Sequence, residues 1–250
     1  MTDIKFSIIT VVYNGEKYIE ETIKSVISQT HKNIEYIVVD GASTDNTCTI
    51  IDKYRNNIHS FISEKDLGMY DAINKGLNIA NGDYILILNS DDYFVNNKVL
   101  SNINNEIRHS NWDFFYCNII RIKNYKKRFV KLKKYKFLDV LSSLHCTFVP
   151  HPSFFVSRLM LNQYALKYNL EYRYASDFDF ILKCLKASTN YTHLNIFSTI
   201  FREHPESITS SGKIDNERLE ILDAWGLHNI NWFVRNFLYY KNWITYKIYN

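Results

Sequence analysis

Two adjacent carboxylates, Asp91 and Asp92, follow the apolar run Tyr84–Leu88. This run is typical of a short buried strand, and the preceding segment Asp71–Ala80 has the spacing of a helix. An open α/β sheet places its ligand chemistry at the carboxyl ends of its strands. Hard divalent cations prefer carboxylate oxygens, and a bound cation can hold a diphosphate. The pattern therefore predicts a metal-dependent, nucleotide-using site at this pair of carboxylates.

Two further apolar runs, Phe6–Val12 and Tyr36–Val39, also end in polar residues. Tyr13 and Asn14 follow the first run and are suited to framing a planar base. Asp40 follows the second, and its carboxylate can accept a hydrogen bond from the imide N–H of a ring such as uracil. A structural role as a turn or a helix cap is the alternative for each. The first turn lacks the glycine patterns of dinucleotide-binding folds and P-loops.

Strand-like and helical patterns alternate from residue 5 to residue 92, which predicts a doubly wound α/β fold. Beyond residue 110 the pattern predicts a strand at Asp113–Arg121 and a helix at Asp177–Lys186. A mostly helical tail is expected from Ile214 onwards. The 250 residues are 46% hydrophobic and 22% charged, as expected of a folded protein.

The 4 cysteines are scattered and form no CxxC pair, which argues against a zinc ribbon and against a disulfide framework. The first residues lack the pattern of a signal peptide, and no run reaches the roughly 20 apolar residues of a membrane-spanning helix. These features predict a cytoplasmic protein, with peripheral contact at the inner face of the cell membrane left open.

The segment Lys123–Lys136 holds 8 basic residues and no acidic one, whereas the remaining 22 basic residues are outnumbered by 26 acidic ones. The positive charge is therefore local. A solvated hairpin or loop is one interpretation, and attraction to an anionic lipid surface or a lipid-diphosphate acceptor is the other. The aromatic C-terminal helix is likewise either a packing element or an interfacial anchor. No common nucleic-acid-binding motif is present, so no nucleic-acid partner is expected.

Five segments, taken in order over roughly residues 5–205, resemble family 2 glycosyltransferases of the GT-A fold. They are SIITVVYN, VVDGASTDNT, GMYDAINKG, GDYILILNSDD and SDFDFILKCL. The resemblance implies a mostly parallel open sheet flanked by helices in one GT-A-like catalytic domain at 1–212. Its nucleotide-sugar half would span about 1–110 and its acceptor half about 111–212, followed by a helical C-terminal extension at 213–250.

Position by position, the resemblance also implies a set of site residues. The nucleotide-binding residues would be Thr10, Tyr13, Asn14, Asp40, Asp71, Asn89 and Ser90. Asn89-Ser90-Asp91 matches the family's DxD motif, although Asn89 replaces its first Asp and contributes no charge.

The metal and catalytic residues follow from the same resemblance. Asp91, Asp92 and His204 would bind Mn²⁺ or Mg²⁺, and His151 would approach the acceptor or the diphosphate. Asp177 would be the general base, since it matches the Asp of a Glu-Asp pair whose Glu is here replaced by serine. The start of a helix favours its ionised form. Asp179 is the competing base.

The activity implied is the transfer, with inversion, of one hexosyl or N-acetylhexosaminyl unit from a nucleotide sugar, expected to be a UDP-sugar. The acceptor would be a glycan or a polyprenyl-diphosphate-linked sugar in bacterial O-antigen, capsule or exopolysaccharide synthesis. The Gln-x-x-Arg-Trp motif of processive members is absent. A non-catalytic nucleotide-sugar-binding module and a nucleotidyltransferase are the alternatives, although the latter usually has a glycine-rich basic loop.

Overall fold

The computed structural model describes residues 3–137, 149–204 and 213–226. Within them the strands are β1 Phe6–Val12, β2 Ile34–Asp40, β3 Ser60–Ser63, β4 Tyr84–Ile87, β5 Tyr93–Phe94, β6 Phe114–Lys123, β7 Lys126–Val130, β8 Phe154–Ser157 and β9 Tyr191–Glu203. The helices are α1 Ile19–Ile27, α2 Thr47–Asp52, α3 Met69–Ile79, α4 Val99–Ile107, α5 Arg158–Gln163, α6 Ser176–Ala187 and α7 Lys213–Ala224. Short 3-10 turns at Arg55–Asn57 and His151–Ser153 precede β3 and β8.

The strands form one sheet in the order β3-β2-β1-β4-β8-β6-β9-β5, and β7 pairs with β6. β3, β2, β1 and β4 run parallel, as predicted for the first half of the chain. In the second half β6 and β9 are parallel, whereas β8, β5 and β7 pair antiparallel with their neighbours. The α/β fold class is thus confirmed, with the parallel pairings concentrated in the first half.

β1 is buried at all seven positions because helices cover both faces of the sheet. Its alternate side chains enter two different hydrophobic clusters. Ile9 and Val11 pack with residues of α3 and α6, whereas Phe6 and Ile8 pack with residues of α1 and α4. This two-sided burial explains why the strands appear in the sequence as continuous apolar runs.

A buried polar network ties the start of β1 to β2 and β4. Glu35 accepts hydrogen bonds from Ser7 Oγ at 2.5 Å, the Asn81 N–H at 2.6 Å and Lys5 Nζ at 3.1 Å. Gly82 donates its N–H to Ser7 Oγ at 2.8 Å. Burial opposes ionisation of Glu35, but these three hydrogen bonds outweigh it and lower the pKa of its carboxyl.

The second half of the chain contains the predicted strand and helix as β6 and α6. The first part of the basic segment is a hairpin of β6 and β7, and residues 131–136 have no regular structure. α7 begins the predicted helical tail, of which residues 227–250 lie outside the described part. The proposed boundary after residue 212 stays a prediction. No helix in the described ranges has the length and apolarity needed to cross a membrane.

Candidate active site

A cavity of about 970 Å³ opens where β1 and β4 end. The register pairs Val12 with Asp40 and Ile9 with Ile87, so the loops that follow these strands leave the same edge of the sheet. Nine of the twelve predicted site residues line the cavity. They are Tyr13, Asn14, Asp71, Asn89, Ser90, Asp91, His151, Asp177 and His204.

Tyr13 and Asn14 form one wall of this cavity. Tyr13 is 65% exposed. Asn14 has a left-handed backbone (φ 50°), a conformation that asparagine tolerates better than most residues. Its Oδ1 accepts the Thr44 N–H at 2.8 Å, and its own N–H bonds to Ser43 Oγ at 2.8 Å. Asn14 therefore joins the loop after β1 to the loop after β2 and leaves the tyrosine exposed.

Thr10 and Asp40 are fully buried and do not line the cavity. Thr10 Oγ1 accepts a hydrogen bond from the hydroxyl of Tyr36 at 3.2 Å. Asp40 Oδ2 accepts bonds from the Ser43 N–H at 3.0 Å and from Ser63 Oγ at 2.7 Å. Asp40 Oδ1 is buried without a hydrogen-bond partner among the described residues. Thr10 therefore links β1 to β2, and Asp40 supports the loop that follows β2.

Asp91 and His204 meet at the cavity wall, although 113 positions separate them. His204 Nε2 lies 2.9 Å from Asp91 Oδ2, and both side chains are partly exposed. The His204 ring lies 5.2 Å from the ring of Tyr18. A carboxylate oxygen and an imidazole nitrogen thus face the same space. They are two donors suited to Mn²⁺ or Mg²⁺, and metal binding at this point stays a prediction.

Asp92, predicted as a metal ligand, is fully buried and does not line the cavity. Its Oδ1 accepts the Arg202 N–H at 3.0 Å, and its carbonyl accepts a bond from Thr22 Oγ1 at 2.7 Å. Burial raises the pKa of Asp92 well above its usual range, and the neighbouring Asp91 adds to the effect. Asp92 thus fixes the end of β9, two residues before His204.

Arg202 was not anticipated as part of the site. Its guanidinium lies 4.4 Å from the ring centre of Tyr18 and 5.2 Å from that of Tyr93, and it pairs with Glu21 at 2.5 Å. Such stacking and pairing hold the arginine in place. The end of β9 is therefore held against α1, which keeps His204 beside the carboxylate-bearing loop.

Asp177 lies in the first turn of α6 and lines the cavity. Its Oδ1 accepts a bond from the Tyr70 hydroxyl at 3.2 Å and from the Phe178 N–H at 2.9 Å. Asp179, the competing base, is buried outside the cavity lining and pairs with Lys183 at 2.6 Å. Only the first of these two carboxylates is therefore positioned to meet a ligand in the cavity.

Two tyrosines, neither of them predicted from the sequence as a site residue, connect His151 to Asp177. His151 Nε2 lies 2.6 Å from the Tyr168 hydroxyl, and the Tyr168 ring stacks on Tyr70 at 5.7 Å. Burial lowers the pKa of His151, with a smaller opposing effect from Asp177. Burial also raises the phenol pKa of both tyrosines well above the usual value. A neutral polar cluster therefore lies behind Asp177.

Comparison with known proteins identifies the family of this chain. The family model "Glycosyl transferase family 2" matches residues 7–166. The chain is 34% identical over 198 residues to an uncharacterized glycosyltransferase of Rickettsia typhi, covering 74% of this chain and 60% of that protein. It is 43% identical over 98 residues to the Escherichia coli enzyme WfaP, named a UDP-Glc:alpha-D-GlcNAc-diphosphoundecaprenol beta-1,3-glucosyltransferase, covering 39% of each chain.

The fold has solved counterparts. The structure of Staphylococcus aureus TarS residues 1–349 with UDP-GlcNAc aligns with a TM-score of 0.73 at 23% identity, over 88% of this chain and 66% of that one. This likeness concerns the GT-A fold alone, while the matched family model covers more than half of the sequence. The chain belongs to glycosyl transferase family 2.

Proposed function

We propose that this chain transfers one sugar from a nucleotide sugar to a hydroxyl of a glycan acceptor, with inversion at the anomeric carbon. The observation that carries the proposal is that Asp91, His204 and Asp177 line one cavity, together with Tyr13. A diphosphate site, a base for the acceptor and a surface for a nucleobase would then share one space. Such convergence is what a single displacement requires.

Asp177 is the proposed general base. As the acceptor oxygen bonds to the anomeric carbon, its proton passes to a carboxylate oxygen of Asp177, and the bond from that carbon to the diphosphate breaks. The electron pair leaves with the nucleoside diphosphate, and attack from the opposite face inverts the configuration. The Tyr70 hydroxyl at 3.2 Å would hold the carboxylate in orientation through Oδ1, so Oδ2 would take the proton.

Asp91 and His204 would hold the Mn²⁺ or Mg²⁺ that the family commonly uses. When bound, the cation would neutralise charge on the leaving diphosphate. Two protein donors fit a site completed by phosphate oxygens and water, and no group of three metal-ligating side chains occurs within the described residues. The imidazole favours Mn²⁺ over Mg²⁺. A mannosyltransferase of Pyrobaculum calidifontis with a similar fold (TM-score 0.65) is described in complex with GDP-Man and Mn²⁺.

The proposed donor is a UDP-sugar carrying a hexose or an N-acetylhexosamine. The similar TarS structures are described in complex with UDP and with UDP-GlcNAc, and the E. coli relative is named for UDP-Glc. The exposed Tyr13 ring offers a stacking surface for uracil. Asp40 would join the base contact only if its loop opened, and its unpartnered Oδ1 is the atom that would accept the imide N–H.

The proposed acceptor is a lipid-diphosphate-linked glycan at the inner face of the cell membrane, which places the protein in the cytoplasm. The β6–β7 hairpin exposes Lys126, Lys127, a fully exposed Tyr125 and a largely exposed Phe129. Val130 of this hairpin also lines the cavity. Basic and aromatic side chains together suit an anionic lipid surface next to the cavity.

The first experiment measures release of nucleoside diphosphate from a panel of nucleotide sugars, with Mn²⁺ or with EDTA. We expect metal-dependent release from one UDP-sugar, lost in Asp91→Ala and in His204→Ala but retained in Glu106→Gln, which changes an exposed carboxylate on α4. UDP binding by calorimetry without turnover would instead indicate a non-catalytic binding module. If the protein showed no release from any donor and no metal-dependent UDP binding, the proposed donor site would be refuted.

The membrane contact is tested by flotation with vesicles of phosphatidylcholine, with and without phosphatidylglycerol. Each basic residue near an anionic surface contributes about 1 kcal/mol. Replacing Lys126 and Lys127 by alanine should therefore weaken binding to anionic vesicles roughly thirtyfold. Replacing the exposed Lys53 and Lys98 instead is the matched control. Equal losses for the two pairs would show that only the net charge matters and would contradict docking through the hairpin.

A further inference from the structure

Glu217 on α7 makes an unusual set of contacts with the chain that precedes α6. Its Oε1 accepts the Arg173 N–H at 2.6 Å, and its Oε2 accepts the N–H groups of Tyr174 at 2.6 Å and Ala175 at 2.5 Å. One carboxylate thus binds three consecutive backbone N–H groups. Hydrogen bonds to a charged acceptor are the stronger class, so this contact is suited to fixing a loop.

These three N–H groups lie immediately before the helix that carries Asp177. The residue at the N-cap of α6 is Ala175, and no side chain caps the helix from that position. In a capping box, an acidic or amide side chain within the helix binds the N–H of the N-cap residue. Here Glu217 provides that contact from another helix. Its negative charge is also favourable near the positive end of the α6 dipole.

α7 is itself held firmly against α6, so Glu217 is not a loosely placed side chain. Trp225 donates its Nε1–H to Asp179 Oδ1 at 3.2 Å, and the Arg218 guanidinium lies 5.7 Å from the ring centre of Phe178. Ile221 and Leu222 are buried in the same hydrophobic cluster as α6. α7 also lies beyond residues 7–166, the stretch that the family model covers.

We infer that Glu217 is a positioning residue for the general base: it fixes the backbone of residues 173–175 and thereby sets the direction in which α6 presents Asp177 to the cavity. This inference rests on the proposed function of Asp177. It assigns to α7 a role in catalysis rather than in packing alone. Arg173 and Tyr174 also line the cavity, so the same contact shapes part of its wall.

The test compares Glu217→Gln with Glu220→Gln, an exposed carboxylate on the same helix. Glutamine keeps the size of the side chain but replaces one carboxylate oxygen with an amide NH2 group, which cannot accept a hydrogen bond from a backbone N–H, and it removes the negative charge. We expect kcat of Glu217→Gln to fall at least tenfold, while KM for the donor changes less than twofold. Glu220→Gln should match the unaltered protein. Unchanged kcat in Glu217→Gln would overturn the inference.

Amide hydrogen exchange supplies a readout that is independent of turnover. In Glu217→Gln, the N–H groups of residues 173–175 should exchange faster, while those of β1 remain protected. Faster exchange throughout the fold would overturn the inference by showing a general structural role. An unchanged exchange rate at residues 173–175 would overturn it by showing that Glu217 does not anchor this loop. If Asp177→Asn kept full turnover, the proposed base would fail, whereas the exchange result would still report whether Glu217 anchors the loop.

Discussion

Asp177→Asn should lower turnover and Asp179→Asn should lower stability, although the two carboxylates are two residues apart on one helix. Asp177 lines the cavity, and both of its hydrogen bonds, from Tyr70 and from the Phe178 N–H, are accepted by Oδ1. Asp179 is buried among protein groups and pairs with Lys183. The first substitution should therefore lower kcat, and the second should lower the free energy of unfolding.

The magnitudes follow from these contacts. In Asp177→Asn the amide oxygen can still accept both bonds, so the free energy of unfolding should change by less than about 1 kcal/mol. Loss of a general base typically lowers kcat by about 10²–10⁴, which corresponds to roughly 2.7–5.4 kcal/mol of activation free energy. In Asp179→Asn the amide oxygen can keep the hydrogen bond from Trp225, but the amide NH2 group then faces the Lys183 ammonium, and the ion pair is lost. Because Lys183 is partly exposed, the loss of stability should be only about 1–2 kcal/mol.

Three measurements on each variant separate the effects: release of nucleoside diphosphate at saturating donor and acceptor, calorimetric binding of UDP with Mn²⁺, and urea unfolding. Asp177→Asn should bind UDP and unfold normally but turn over poorly. Asp179→Asn should unfold at lower urea but retain turnover per folded molecule within about threefold. The reverse pattern, with turnover lost only in Asp179→Asn, would refute the assignment of the base from cavity geometry.

Three further predictions concern the stability of the fold. Glu35→Ala should lower the free energy of unfolding by about 2–4 kcal/mol, because it leaves buried donors such as Ser7 Oγ without their acceptor; urea unfolding measures this loss. Gly82→Ala should cost at least about 2 kcal/mol by the same assay, because its Cβ would lie 2.5 Å from the backbone nitrogen of Ser7. Burial lowers the pKa of His151 below 6.5, so the unfolded chain binds more protons, and stability should fall as the pH decreases through about 6.5. His151→Gln should reduce this pH dependence between pH 7.5 and 5.5.

The first two of these predictions have matched controls, and the third has a refuting outcome. Glu106→Ala, at an exposed site, should change stability by no more than about 0.5 kcal/mol. Gly76→Ala should cost less than Gly82→Ala, because its Cβ would meet a side-chain methyl of Ile9 rather than backbone, and because alanine is the better helix former within α3. An equal cost for the two glycines would contradict the backbone explanation. An unchanged pH dependence in His151→Gln would show that this histidine is not responsible.

The first half of the fold was predictable because its strands are buried on both faces and appear as apolar runs that end in polar residues. The nine cavity-lining residues identified from sequence mostly follow such strands or begin helices, where local pattern determines position. Thr10, Asp40 and Asp92 do not line the cavity because each side chain is fully buried: Thr10 within β1, Asp40 at the end of β2, and Asp92 against the backbone of Arg202 in β9. Strand ends alone do not reveal which side of the chain faces the cavity.

The parts of the site that sequence did not predict are contacts between distant segments. Arg202 is held by Glu21 and by the aromatic ring of Tyr18, and only the pairing of β9 brings them together. Tyr70 lies next to a predicted residue in the GMYDAINKG segment, so its place could have been suspected, but its bond to Asp177 spans 107 positions. No local propensity encodes such a partner.

Glu217 illustrates why the general base was ambiguous from sequence. Asp177 and Asp179 both lie in the acidic first turn of a helix, and the helix dipole favours the ionised form of either. Asp179 differs because Lys183 of the same helix pairs with it and Trp225, the residue after α7, donates to it. Glu217 of α7 meanwhile binds the backbone N–H at the N-cap of α6. The contacts of Asp179 therefore occupy this carboxylate and leave the other facing the cavity. Removal of the chain from residue 213 onwards should therefore weaken the packing of α6 and make the surroundings of Asp177 and Asp179 more alike.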